Sequence, residues 1–188
     1  MKKIILFNAP PNSGKDEAVN HLLKIYDEAL HFRFKDELYK IAADLAEVDY
    51  WWLVDIAIDR NTKDLPNDKL PNNMSPRNWL VYVSEIIIKP NYGKFYFGDS
   101  LAASVNGTKE NDLVFISDCG FREEVKALID NTEHDVHIIQ VYRDGCSFAG
   151  DSRNYVSIYG KTHFVYNNRT LEDYFKKVEN VVHNIIGE

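Results

Sequence analysis

A short apolar run followed by a loop with glycine and lysine opens this chain. Residues 4–7 have the length of a strand, and residues 8–16 (Asn-Ala-Pro-Pro-Asn-Ser-Gly-Lys-Asp) follow them directly. Behind the loop, apolar residues recur at helical spacing, at Ala18, Leu22, Leu23 and Tyr26. A strand that leads through a tight loop into a helix is the layout of a P-loop, whose backbone N–H groups and lysine bind phosphates. An ordinary strand-turn-helix is the alternative.

The loop differs from the usual P-loop pattern at two positions. Ala9 stands where glycine is usual, and Asp16 stands where serine or threonine is usual. Asp16 either ligates Mg²⁺ or only complements the positive end of the helix dipole, and the sequence leaves both open. Lys15 is expected to reach the outer phosphates of the phosphate donor as a catalytic cation. The expected ATP-binding residues are Pro11, Asn12, Ser13, Gly14, Lys15 and Asp16.

Strand-like and helix-like segments alternate along the chain. Strands are expected near residues 31–34, 113–116, 136–142 and 163–166, in addition to the first. Helices are expected between them, including one that starts at Ser75-Pro76 and is closed by Pro90, and a final one capped by Thr170. This alternation predicts an α/β fold, a three-layer α-β-α sandwich with a mostly parallel, about five-stranded sheet.

Composition and charge limit the remaining possibilities. The 188 residues suit one domain, or one domain with a mobile insertion. A net charge of −7 makes a nucleic-acid polymer an improbable partner, although arginines can still converge in one cleft. Cys119 and Cys146 form no disulfide or metal-binding pattern, which favours a cytoplasmic setting. The apolar run at the start is too short for a signal peptide or a membrane span.

Several charged residues follow the predicted strands, where ligands bind in open parallel sheets. Asp118 ends an apolar run, where a carboxylate would hold Mg²⁺ or its waters, or would cap the next helix. Arg122 comes four residues later, at the predicted start of that helix. Arg143 and Arg153 bracket a glycine-bearing loop that could close over phosphates. A solvated surface role is the alternative for each arginine.

Fewer signals mark a second substrate. Arg77 lies just inside the helix that starts at Ser75-Pro76, and Lys35 is a weaker candidate for anion binding. Many aromatic residues, Trp79 among them, cluster in the middle third of the chain. Most are expected in the core, and one or two could stack on a base.

With these residues in place, the chain resembles the bacteriophage-type deoxynucleoside monophosphate kinases, within the adenylate-kinase-like P-loop group. The resemblance runs nearly end to end in four blocks, at residues 13–16, 75–85, 117–122 and 142–153. The Gly-Lys-Asp ending of the loop resembles the version found in this family. The fourth block is similar to a shortened lid that carries catalytic arginines.

The resemblance implies transfer of the γ-phosphate of ATP, with Mg²⁺, to a deoxynucleoside monophosphate (dNMP). It implies one kinase domain over residues 1–188, with an acceptor-binding helical region at about 35–105 and a lid at about 143–160. The implied roles are catalysis by Lys15, Arg143 and Arg153, acceptor binding by Lys35, Arg77, Trp79, Arg122 and Asp151, and metal binding by Asp16 and Asp118. A homodimer is possible, and the setting would be the host-cell cytoplasm if the protein is viral. A kinase of a nucleoside or dephospho-coenzyme A, or a nucleotide-binding module without transfer activity, is the alternative.

Overall fold

A five-stranded parallel sheet forms the centre of the molecule. The computed structural model describes residues 1–109 and 113–187, so residues 110–112 and 188 of the predicted domain lie outside the described part. The strands are β1 (Lys3–Asn8), β2 (Leu30–Phe32), β3 (Leu113–Cys119), β4 (Asp135–Tyr142) and β5 (Thr162–Tyr166). Their order is β2-β3-β1-β4-β5, and every neighbouring pair is parallel. The predicted α/β fold is confirmed.

Helices surround this sheet. They are α1 (Lys15–Ile25), α2 (Lys35–Ala46), α3 (Tyr50–Ile58), α4 (Pro76–Tyr82), α5 (Lys89–Tyr92), α6 (Tyr96–Asn106), α7 (Arg122–Asp130) and α8 (Leu171–Ile186). Both predicted caps are present, because Ser75 Oγ accepts a hydrogen bond from Asn78 N and Thr170 Oγ1 accepts one from Asp173 N, each at 3.2 Å. Within residues 1–109 and 113–187, no helix combines the length and the apolar character needed to cross a membrane.

The two faces of β1 bury different cores, as the alternation of strand side chains requires. Ile5 and Phe7 pack with apolar residues of α1 and α8. Ile4 and Leu6 pack with apolar residues of α6 and α7 on the other face. The sheet therefore lies between two helical layers, and its strand ends at Asn8, Cys119 and Tyr142 meet at one edge.

A third core joins α2, α3 and α4 into a helical region beside the sheet. Trp79 lies in this core with 4% of its surface exposed, and its Nε1 donates to the carbonyl of Ala42 at 3.0 Å. The prediction that Pro90 closes the helix begun at Ser75 was wrong. After α4 the chain continues as a π-helical turn, Val83–Ile88, and then as α5. Pro90 lies near the start of α5, directly after the π-helical turn, and the helical run continues past it to Tyr92.

Candidate active site

The loop between β1 and α1 is held in a conformation that depends on Gly14. Gly14 has φ +96° and precedes the first residue of α1. A Cβ atom at this position would lie 2.6 Å from Nδ2 of Asn167 and 3.3 Å from Cε1 of Tyr174. Asn12, at the tip of the loop, also has a positive φ of 66°, which asparagine tolerates better than most residues. The glycine is therefore required both by its backbone angle and by its close neighbours.

Two residues from the far end of the chain support this loop from behind. Asn167 Nδ2 donates to the carbonyl of Ser13 at 2.9 Å, and the hydroxyl of Tyr174 donates to the carbonyl of Gly14 at 3.0 Å. Tyr174 is fully buried, and burial raises the pKa of its hydroxyl, which stays a hydrogen-bond donor. The sequence analysis missed both residues. The one available signal was that Asn167 directly follows a predicted strand.

The polar side chains of the loop differ in their surroundings. The buried hydroxyl of Ser13 has no hydrogen-bond partner among the described residues, so it is free to serve a ligand. Lys15 is mostly buried, and its Nζ lies 3.6 Å from an oxygen of Asp16. Asp16 itself is 72% exposed. Lys15 therefore presents its charge beside the loop, and Asp16 points towards solvent.

A cavity of about 460 Å³ opens beside the loop. This volume is in the range of small-molecule sites. Six basic and four acidic side chains line it, although the whole chain has a net charge of −7. The basic residues are Lys15, Lys35, Lys63, Arg77, Lys89 and Arg153, and the acidic residues are Glu85, Asp118, Glu124 and Asp151. The cavity thus concentrates positive charge on an acidic protein.

Asp118 lies at the end of β3 and lines this cavity, as the sequence suggested. One carboxylate oxygen accepts from the backbone N–H of Phe34 at 2.9 Å, and the other accepts from that of Lys35 at 3.2 Å. Asp118 therefore caps the start of α2, and not the helix that follows it in sequence. Each carboxylate oxygen keeps a further lone pair for the water shell of a metal ion.

Arg153 and Asp151 form a two-pronged ion pair on the cavity wall. Arg153 Nε and Nη2 donate to the two oxygens of Asp151 at 3.0 and 2.6 Å. The hydrogen bond with Arg153 lowers the pKa of the Asp151 carboxyl and raises that of the guanidinium. The Arg153 side chain lies against Gly120, where an added Cβ atom would come within 2.7 Å of three of its carbon atoms. The absence of a side chain at Gly120 thus makes room for Arg153.

The arm that returns from Arg153 to β5 is anchored to the sheet. Asn8 Nδ2 donates to the carbonyls of Cys119 and Asn154, and its Oδ1 accepts from Val156 N at 2.8 Å. At the other arm, Arg143 is exposed and its Nη1 donates to the carbonyl of Asn12 at 3.0 Å. The two predicted lid arginines therefore lie at different places, one in the cavity and one over the loop tip.

The helical region supplies the opposite side of the cavity, and we call Lys35, Lys63, Arg77 and Lys89 the helical wall. Two of these cations are paired with carboxylates. Arg77 Nε lies 2.5 Å from an oxygen of Asp64, and Lys89 Nζ lies 2.5 Å from one of Glu85. The sequence analysis found Lys35 and Arg77 but missed Lys63 and Lys89. Glu85 lies within the π-helical turn and Lys89 directly follows it, and the sequence did not reveal the register of this turn.

Glu124, on α7, is a carboxyl group on the cavity side of that helix. Burial, followed by the negative charge of Asp118, raises the pKa of Glu124 to about 8. Large apolar side chains also line the cavity, and they are Phe34, Leu38, Leu80, Val81, Phe97 and Phe121. The cavity therefore offers apolar surface for a ring system in addition to positive charge for an anion.

Two predicted acceptor-binding residues are not among those that line the cavity. Arg122 is exposed at the first position of α7, and the helix turns Val125 and Leu128 inwards instead. Trp79 is buried in the helical core. Within the described part of the chain, no group of three or more histidine, cysteine, aspartate or glutamate residues could hold a metal ion by itself.

Comparison with known proteins yields structural similarity alone. No family model and no curated protein matches the chain. Among solved structures, TT1252 from Thermus thermophilus is 15% identical with a TM-score of 0.50, and the match covers 97% of each chain. A gluconokinase from Sinorhizobium meliloti 1021 is 10% identical (TM-score 0.44; 98% of this chain and 95% of that one covered). A sugar kinase from Janibacter sp. HTCC2649 is also 10% identical (TM-score 0.39; 97% and 94% covered). The chain thus shares a known α/β fold with distant proteins.

Proposed function

We propose that this protein is a kinase that transfers the γ-phosphate of ATP to a dNMP, giving ADP and the diphosphate. The observation that carries the proposal is the pairing of a phosphate-binding type of loop with a cavity that holds six basic side chains. Phosphoryl transfer needs little covalent help from the protein. It needs two substrates in line and positive charge around the moving group.

The loop would bind the donor. Backbone N–H groups at the start of α1 and the Lys15 ammonium would hold the phosphates of ATP, and the buried Ser13 hydroxyl is free to join them. Mg²⁺ would arrive with ATP as part of the substrate and neutralise charge on its phosphates. The carboxylate of Asp118 would hold waters bound to Mg²⁺, and the exposed carboxylate of Asp16 would hold further ones from the loop.

The helical wall would bind the acceptor. Arg77, Lys89, Lys63 and Lys35 would hold its phosphate, and the apolar lining would receive its base. As the γ-phosphorus bond to the β-phosphate oxygen of ATP breaks, a bond to an oxygen of the acceptor phosphate forms. Arg153 and Arg143 would neutralise charge on the group in transfer.

A coupled assay of ADP release tests the proposal. The four dNMPs are compared with ribonucleoside monophosphates, nucleosides and dephospho-coenzyme A, each with Mg²⁺ and ATP. We expect release with at least one dNMP, and about 100-fold less with the Lys15→Met variant. Release with a nucleoside and none with any monophosphate would favour the nucleoside kinase. ATP binding without release on any acceptor would favour a non-catalytic module.

A further inference from the structure

A second arginine besides Arg143 contacts the tip of the phosphate-binding loop. Arg60 Nη2 donates to Oδ1 of Asn12 at 2.6 Å. Arg143 Nη1 donates to the backbone carbonyl of the same residue at 3.0 Å. The two guanidinium groups come from segments more than 80 positions apart and converge on one neutral residue, which has φ +66°.

Neither of these two arginines is neutralised by a carboxylate, which they share with Arg122 and Arg169 among the described residues, but only they contact the loop tip. Arg33, Arg77 and Arg153 each form an ion pair with an aspartate. Among residues 1–109 and 113–187, neither Arg60 nor Arg143 has a carboxylate within ion-pair distance. Two unpaired guanidinium groups at the tip of the loop that carries Lys15 favour an anion at this point.

The segment that carries Arg60 is held firmly between α3 and α4. The carboxylate of Asp59 accepts from Asn61 N at 2.9 Å, and Thr62 Oγ1 donates to the carbonyl of Ile56 at 2.9 Å. Further on, Arg77 N donates to the carbonyl of Lys63 at 3.0 Å. These bonds tie residues 59–63 to the end of α3 and the start of α4, so the position of Arg60 is set by a built turn.

The same segment reaches both sides of the site. Lys63 belongs to the helical wall and Arg60 touches the loop tip, only three residues away. We propose that Arg60 is a ligand of the outer phosphates of a polyphosphate bound at the loop, supplied by the helical region. This inference rests on the proposed function for the identity of the polyphosphate as ATP. When ligand binds, the guanidinium exchanges its neutral Asn12 partner for a charged phosphate oxygen.

Binding measurements by calorimetry test this role without any phosphotransfer. The probes are ATP and inorganic tripolyphosphate, each with Mg²⁺, on wild type and the Arg60→Gln variant. We expect Arg60→Gln to weaken both by about tenfold, since one charge-assisted hydrogen bond is lost. Lys126→Gln removes an exposed cation on α7 and is the matched control, expected to leave both affinities unchanged. Thermal unfolding of Arg60→Gln shows whether it is folded, and Arg60→Met, which also removes the charge, replaces it if it is not.

Repeating the measurement in a second variant distinguishes phosphate binding by Arg60 from a role in which Arg60 only supports Asn12. Asn12→Gly removes the side-chain acceptor and still allows the positive φ. A phosphate ligand predicts that Arg60→Gln weakens binding by the same factor in the Asn12→Gly background. No loss on Arg60→Gln, or a loss that vanishes in that background, would overturn the inference. A wild type that binds neither probe would overturn it too, whereas a wild type that binds ATP but transfers nothing would overturn the proposed kinase alone.

Discussion

The loop between β1 and α1 and the helical wall carry their positive groups in different ways. The loop is fixed through its backbone, by the φ of Gly14 and by hydrogen bonds from the buried Asn167 and Tyr174. The wall presents flexible side chains such as Arg77, which is more than half exposed and paired with Asp64. Breaking a buried support leaves an unsatisfied group, whereas exposed ion pairs contribute only about 0–1 kcal/mol. The loop is therefore preorganised, and the wall can rearrange around a ligand.

Gly14→Ala tests the rigidity of the loop and is expected to have the largest effect. The new Cβ would meet Asn167, and a left-handed alanine costs about 1–2 kcal/mol. We expect kcat/KM for ATP to fall by about 100-fold, since the loop must shift away from its support. Gly107→Ala is the matched control, because the nearest atom to its Cβ would lie 3.5 Å away and its φ is −72°. Equal kinetics for the two variants would contradict a rigid loop.

The sequence predicted the loop between β1 and α1 well, because the patterns that indicate such a loop involve residues close together in the chain. An apolar run, a glycine before a helix and the caps Ser75 and Thr170 each act within a few residues, so their consequences can be anticipated. The parallel sheet between helices followed from the alternation of elements, whereas the order of its strands was not predicted. The supports of the loop could not be anticipated, since Asn167 lies 154 positions from Ser13.

The helical wall was predicted less well because its membership depends on how helices are rotated. Lys89 reaches the cavity only after a π-helical turn has shifted the register of its helix. Lys63 lies in the polar segment between α3 and α4, where no helical or strand spacing indicates the direction of a side chain. Arg122 matched a family-like block, yet its place at the first position of α7 leaves it exposed. Such rotations are set by packing between distant elements, and residue spacing does not encode them.

Gly120→Ala tests whether the side chain of Arg153, like the loop, is held in a fixed position. The added methyl group would meet the β, γ and δ carbons of Arg153, so the shift cannot be confined to the tip of that side chain. We expect kcat to fall by about tenfold while the KM values change little, since positioned charge is displaced from the transferring group. Steady-state kinetics beside Gly107→Ala measures this. An unchanged kcat would place Arg153 outside the reaction.

Arg77→Ala tests whether a cation of the helical wall leaves its ion-pair partner to bind a ligand. We expect the acceptor KM to rise by about tenfold and the KM for ATP to stay constant, with little loss of stability because the Asp64 pair is exposed. Asp64→Asn frees Arg77 from its partner and should leave the acceptor KM unchanged or lower it. Arg122→Ala should change it by less than about twofold, as expected for an exposed surface arginine. A larger effect at Arg122 than at Arg77 would restore the role that the sequence suggested.

Glu124→Gln addresses the smallest expected effect, the pH dependence of the cavity. The pKa of this carboxyl rises from 4.5 to about 8 on folding, so between these values the folded protein keeps a proton that the unfolded chain has released. The free energy of unfolding therefore falls as pH rises through this window, and the variant should lack that part of the decline. Glu123→Gln is the control, since Glu123 pairs with Lys94 and is absent from the cavity lining.

Ionisation of Glu124 should also change the KM for the acceptor. Above about pH 8 the ionised Glu124 adds a negative charge near the helical wall, so the acceptor KM should rise by about threefold in wild type and not in Glu124→Gln. The KM for ATP should follow the same pH profile in both proteins, because the proposed function assigns ATP to the loop and the acceptor to the helical wall. If pH changed the KM for ATP alone, the assignment of ATP to the loop and of the acceptor to the helical wall would have to be reversed. An identical acceptor profile in wild type and variant would show that the carboxyl does not face the bound acceptor.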